Sequence, residues 1–334
     1  MSYRIVGDSD AKYLAATDIF IGDMSDINYE FLVFNRPIIL LANDWVQKEF
    51  PNIGIKCNIE SIRNAIERSI AYPNEFEKNR LKWLSKTHHK ADGKSSERVL
   101  DTILEYANFE HPEIVFISGN NKVLKDTLQP LYNEAKKREL SCKFIEYFSD
   151  TNKQNNVIYI SSHNELLSFS HGYKVHIDHG NKGPGVTDIE HKIKQWKDNH
   201  YWPNTDLFIT EGEISHERTK KVLGKHSHKA VMVGFPRSDD YVRLNTKENK
   251  ISVCSSLQFD PDKILVTYAP AGKYSYPFKQ GASLSKKVLK YLRKLSQETD
   301  YNILVKLKYS KKWEYRRFFQ KDRVVRKLKF YLQK

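Results

Sequence analysis

Short apolar runs alternate with amphipathic stretches along most of the chain. Residues 18–22 and 37–42 are nearly all apolar, the pattern of strands buried on both faces. Residues 59–71 and 73–86 read as helices, and Ser95 or Ser96 stands where it could cap a helix reaching Tyr106. His111-Pro112 then breaks the pattern, and strand 114–118 opens a new unit. Helix 122–138 and strands 143–148, 157–160 and 173–177 follow, then strands 206–210 and 230–233 on either side of a helix near 214–223. Residues 243–262 are polar and poorly patterned, as in a linker. Strand 263–268, a loop over 269–283, helix 284–297 and strand 302–307 complete the regular part. Strand and helix signals in alternation predict an α/β class with parallel sheets.

Several of these strands run straight into polar turns. In open α/β sheets ligands bind beyond the carboxyl ends of strands, where turns feed helix N-termini. The first such turn, Gly22-Asp23-Met24-Ser25-Asp26, follows Ile19, Phe20 and Ile21 and offers N–H groups and hydroxyls to a phosphate. A second follows the strand ending in His176-Ile177-Asp178-His179, where Gly180, Gly183 and Gly185 permit close backbone approach. His179 has the chemistry of a general base near neutral pH, whereas His176 reads as structural. A third turn, Gly234-Phe235-Pro236-Arg237, presents a forked guanidinium suited to phosphate; a plain turn arginine is the competing reading.

The chain has 334 residues, which favours two domains, and its formal net charge is +14. A basic balance of this size favours a polyanion: nucleic acid, an anionic membrane surface or a phosphate-rich substrate. Much of the charge lies in segment 311–334, read as an amphipathic helix pair with either a solvated or a polyanion-binding face. Cys57, Cys142 and Cys254 are far apart, so neither a disulfide framework nor a zinc site is expected, and a reducing compartment fits. No stretch approaches the ~20 apolar residues of a membrane span.

Taken together, the His179-Gly180 loop, the Thr210-Glu211-Gly212 turn, the Gly234 to Asp239 turn and Thr267-Tyr268-Ala269-Pro270 resemble the first part of the CDP-glycerol glycerophosphotransferase family. The opening turn with Arg36-Pro37 resembles that family's late donor-binding motif, and Asp92 to Arg98 its closing helix. The resemblance implies the two-lobed GT-B fold, made of Rossmann-like lobes. It implies transfer of glycerol phosphate from CDP-glycerol to a hydroxyl of a growing teichoic-acid-like or capsular polymer, with release of CMP. His179 would match the proposed general base. Asp23, Ser25, Asp26 and Lys306 would bind the donor phosphates, and Gly180, Lys182 and Arg237 the acceptor or its phosphates. No cofactor is implied beyond CDP-glycerol as donor substrate, and no metal-ligand spacing appears. The expected partners are a nucleotide-activated polyol, an anionic polymer and the inner membrane surface, without specific nucleic acid. The expected location is cytoplasmic, peripheral at the membrane's inner face.

Two departures bear on activity: Asp26 stands where the family has a second serine, and Lys308 where it has a second histidine. A module that binds anionic polymer without catalysis is therefore the alternative. The order of segments also differs from the family's. Here a late donor half (1–107) precedes an acceptor lobe (112–242), a linker (243–261) and an early donor half (262–334). Either a cut from a longer tandem protein or a circular permutation would give this order, the cut being favoured because both ends fall within a lobe. In both cases the two donor halves could pair, and Ser25 would face His179 across a cleft.

Overall fold

The computed structural model describes residues 2–6, 11–23, 25–42, 44–119, 122–145, 156–162, 171–178, 204–270 and 281–307, without the side chains of 44, 45, 49, 122, 123 and 281–286. These residues form two six-stranded sheets in which every strand pair is parallel. The first contains β1 (Tyr3–Val6), β2 (Ile19–Gly22), β3 (Ile38–Leu41), β4 (Ile55–Cys57), β11 (Leu265–Tyr268) and β12 (Asn302–Lys306). The second contains β5 (Glu113–Ile117), β6 (Cys142–Ile145), β7 (Val157–Ser161), β8 (Tyr173–Ile177), β9 (Leu207–Thr210) and β10 (Ala230–Met232).

The first sheet has the spatial order β1-β12-β11-β2-β3-β4. Counted from β11 through β12 and on to β1–β4, this is 3-2-1-4-5-6, the order of the dinucleotide-binding sheet. Strands from both ends of the sequence therefore share one sheet, and the order reverses between β11 and β2. The amide of Ala269 donates to Ile21 at 3.1 Å across that junction. The second sheet, β6-β5-β7-β8-β9-β10, reads 2-1-3-4-5-6 and reverses between β5 and β7. The protein is thus α/β with two Rossmann-like lobes, as the resemblance implies.

Both faces of the first sheet are buried, which is why its strands read as unbroken apolar runs. Ile19, Ile21, Ile39 and Leu41 pack with helices Ile62–Ala71 and Gly281–Glu298. Phe20, Ile38 and Leu40 point the other way, against helix Ala11–Ala16, the one-turn helix Ile27–Glu30 and the 3-10 turn Phe31–Phe34. Strand periodicity alone sorts these residues between the two faces. Helix Asp44–Glu49 adds Val46 to that second face. On the second sheet, Ile114, Phe116, Ile158, Ile160, Val175 and Leu207 pack with helices Ser95–Ala107 and Lys122–Lys137.

Two boundaries differ from the sequence reading. Helix Ser95–Ala107 was grouped with the first lobe (1–107), yet its Val99, Leu100, Ile103 and Ala107 lie in the core of the second sheet. Its apolar stripe fits either partner; which sheet it covers depends on where the chain crosses over. The expected linker 243–261 contains a helix, Lys247–Ser256. Thr246 caps it by accepting from the Asn249 amide at 3.1 Å. Lys250 reaches Asp18 at 2.8 Å, and the same carboxylate accepts from the Leu265 amide at 2.7 Å. Only Val253 and Cys254 of this helix are buried, too few to show a periodic stripe.

Replacing Ile103 by Ala should lower unfolding stability by about 2–5 kcal/mol. In native-state hydrogen exchange, protection should fall first in β5 and β9. Losses confined to β2 and β3 would place the helix on the other sheet.

Candidate functional site

The carboxyl ends of both sheets contribute to one seam, joined by helices Glu77–Thr87, Glu213–Leu223 and Arg237–Leu244. The chain crosses between lobes twice at this seam, after Thr87 and after Val233. The His89 amide donates to the Glu211 carbonyl at 2.7 Å. A methyl on Gly212 would stand 2.5 Å from the Thr87 carbonyl, and one on Gly234 would stand 2.9 Å from Ser95 Oγ. Gly234 also has φ +140°, so glycine is required there on both counts. The Asp239 carboxylate accepts from the amides of Ser95 and Ser96 at 2.8 and 2.7 Å, closing the start of helix Ser95–Ala107 from the other crossing. Burial raises the Asp239 pKa, and those hydrogen bonds oppose the rise.

The turn after β2 lies at the strand-order reversal of the first sheet, the expected ligand position in such folds. Asn28 holds its shape: its side-chain amide donates to the carbonyls of Asp23 and Ser25 at 2.6 and 2.7 Å. Asn28 Oδ1 would be 1.8 Å from a Cβ on Gly22, so glycine at 22 leaves room for this brace. Asp23 is buried, while Ser25 and Asp26 are half-buried. Lys306 closes β12 on the same edge, one strand away from β2, roughly 10 Å across the sheet. The structure thus brings Asp23, Ser25, Asp26 and Lys306 to a single edge. The helix after the turn has only four residues, so its aligned dipole is small.

Beside this turn lies a buried polar cluster that the sequence reading missed. Glu30 accepts a hydrogen bond from the Tyr241 hydroxyl and sits 3.9 Å from Arg237 Nη1. The Arg237 guanidinium also lies over the Tyr241 ring, 5.9 Å from its centroid. Arg237 was expected in an open turn; instead it begins helix Arg237–Leu244, buried against Glu30. His88 is buried beside Phe235, with Nδ1 3.1 Å from Thr87 Oγ1. Burial pushes its pKa down to about 4, against the pull of Glu30. Tyr29, Arg218 and Glu211 are buried as well. Glu30 and Tyr241 are 211 positions apart, and no sequence spacing announces their pairing.

His179, Gly180 and Lys182 lie outside the described residues, as does Lys308. Asp178, the residue before His179, follows the carboxyl end of β8, next to β9 in the sheet. Among the described residues, no three His, Cys, Asp or Glu side chains gather as a metal cluster, and no helix is long and apolar enough to cross a membrane.

A parallel double-lobed fold with a braced turn at the strand-order reversal places a ligand crevice beside that turn. The sequence matches the CDP-Glycerol:Poly(glycerophosphate) glycerophosphotransferase family over residues 5–105 and 108–330, and the chain belongs to that family. No curated protein matches it. Among solved structures, a variant of the wall teichoic acid polymerase TagF aligns at 16% identity with a TM-score of 0.41, over 76% of this chain. The chain spans 66% of that polymerase's length.

Two outcomes test this geometry. Gly22→Ala should displace the Asn28 brace and weaken CDP binding by about tenfold while the fold survives, as read by calorimetry and circular dichroism. The second concerns His88, which is neutral when folded but takes up a proton near its ordinary 6.5 when unfolded. Below that pH the unfolded state binds more protons, so stability falls with pH until the folded value of about 4 is passed. The loss should be about 3 kcal/mol between those limits, absent in His88→Gln, in urea unfolding across that range.

Proposed function

We propose that the chain transfers glycerol phosphate from CDP-glycerol to a hydroxyl of a growing teichoic-acid-like or capsular polymer. The observation that carries this reading is the Asn28-braced turn at the reversal between β11 and β2, in a chain of this family. The first sheet serves as donor lobe and the second as acceptor lobe. The acceptor hydroxyl oxygen attacks the phosphorus bearing the glycerol. The bond from that phosphorus to the bridging oxygen breaks, and CMP leaves with the electron pair. His179 takes the hydroxyl proton as general base. Positioning and charge neutralisation dominate such a transfer. The Asp23 to Asp26 turn and Lys306 hold the donor diphosphate. Gly180 and Lys182 bind the acceptor, and the chain's net charge of +14 favours a polyanion and peripheral contact with an anionic membrane face.

Arg237 serves this site as a positioning residue, since its guanidinium faces Glu30 and the Tyr241 ring. A second reading, a module that binds anionic polymer without turnover, is favoured by Asp26 and Lys308 in place of the family's serine and histidine.

Incubating the chain with labelled CDP-glycerol and a glycerol-phosphate primer should release CMP and extend the primer. His179→Ala should lower the rate by about 100-fold or more. Primer binding with no CMP release would select the second reading.

A further inference from the structure

Helix Arg237–Leu244 leaves the second crossing and presents different faces to the two lobes. Positions 237 and 241 are four apart and share one face, while 239 lies on the far side of the helix. On that far side the Asp239 carboxylate takes the amides of Ser95 and Ser96, at the start of a helix in the core of the second sheet. On the near side Tyr241 is fully buried in the apolar cluster of the first lobe, its ring edge-on to Phe34 with centroids 5.7 Å apart. Its hydroxyl donates to the Glu30 carboxylate, which also faces Arg237. Glu30 is in turn tied to the turn after β2. Its amide donates to the Asp26 carbonyl at 3.4 Å, and the Tyr29 amide donates to the same carbonyl at 2.9 Å. Asn28, two residues earlier, braces Asp23 and Ser25. A continuous path of hydrogen bonds and one helix therefore runs from Ser95 to the turn. A hydrogen bond to a charged acceptor holds both groups in one geometry, which an apolar contact does not.

Resting on the donor-site reading above, we propose that Glu30 and Tyr241 are positioning residues for the transfer, their contact setting how far the donor turn stands from the acceptor lobe. Helix Arg237–Leu244 acts as a strut, gripping the second lobe through Asp239 and the turn through Glu30. The donor phosphates bind the turn itself, so their affinity does not depend on the strut. The acceptor hydroxyl approaches from the other lobe, so its distance to the phosphorus and its line of attack do. A transfer slows steeply when reacting groups are held even about 1 Å out of place.

The test uses the full chain. The readouts are CDP binding by calorimetry, the melting temperature, and kcat for CMP release with CDP-glycerol and a glycerol-phosphate primer. Tyr241→Phe keeps the ring against Phe34 and under Arg237 and removes only the hydroxyl. It should lower kcat by about tenfold while CDP binding stays within about threefold of wild type. Glu30→Gln keeps an oxygen to accept from Tyr241 and should lose only about threefold in kcat. Glu30→Ala should lose as much as Tyr241→Phe, and the two together no more than either alone, because both remove one contact. A merely structural contact would lower the melting temperature and leave kcat of the folded protein unchanged, which would overturn the proposal. Equal losses in CDP binding and kcat would also overturn it, by placing the effect in the shape of the turn, as would additive losses in the double variant. Should Glu30→Ala fail to fold, Tyr241→Phe and Glu30→Gln carry the test by the same two readouts. A wild-type chain that releases no CMP would overturn the donor-site reading and this proposal with it.

Discussion

The architecture depends on two chain crossings held side by side. The Asp239 carboxylate of the second crossing takes the first free amides of helix Ser95–Ala107, which begins where the first crossing ends. A helix start leaves four amides without internal partners, and a buried start must find acceptors elsewhere. Supplying them from the other crossing fastens both chain passages with one side chain. Gly234, lying 3.2 Å by its absent Cβ from the His89 carbonyl, keeps the passages close. From this seam follows the approach of Glu30, just beyond the turn after β2, to Arg237 and Tyr241.

Charge within the seam is handled by pairing or by neutrality. Glu30 is buried with Arg237 and Tyr241, while His88 nearby stays neutral. Removing one partner of such a cluster strands a buried charge, whereas replacing the whole set with apolar groups can be harmless. Retention of the ionic set therefore fits a role in fixing one arrangement of the lobes better than a role in bulk stability. The hydrophobic cores on either side supply most of the stability, through strands covered on both faces.

Much of the fold was legible because buried parallel strands write themselves as apolar runs. β2, β3, β5, β7, β8, β9, β11 and β12 are all visible this way. β1 and β4 escaped notice: both sit at sheet edges, are short, and are only partly buried. Helix Lys247–Ser256 was read as a linker because its packing rests on two adjacent buried residues and one lysine. Within the site, Asp23, Ser25 and Asp26 could be found from a polar turn at a strand end. Asn28 could not, because its work is done by a side-chain amide folded back on the carbonyls of Asp23 and Ser25, in space that Gly22 leaves open.

The sequence by itself determined the α/β class, the positions of the turns and the family, since periodicity and local motifs depend on neighbours within a few residues. Tertiary structure alone decided that β11 and β12 join β1–β4 in one sheet, and that helix Ser95–Ala107 serves the other lobe. It also decided that Arg237 is buried against Glu30. Those outcomes rest on pairings between residues far apart in sequence, where an apolar stripe or a charged side chain fits several partners and only the packed arrangement selects one.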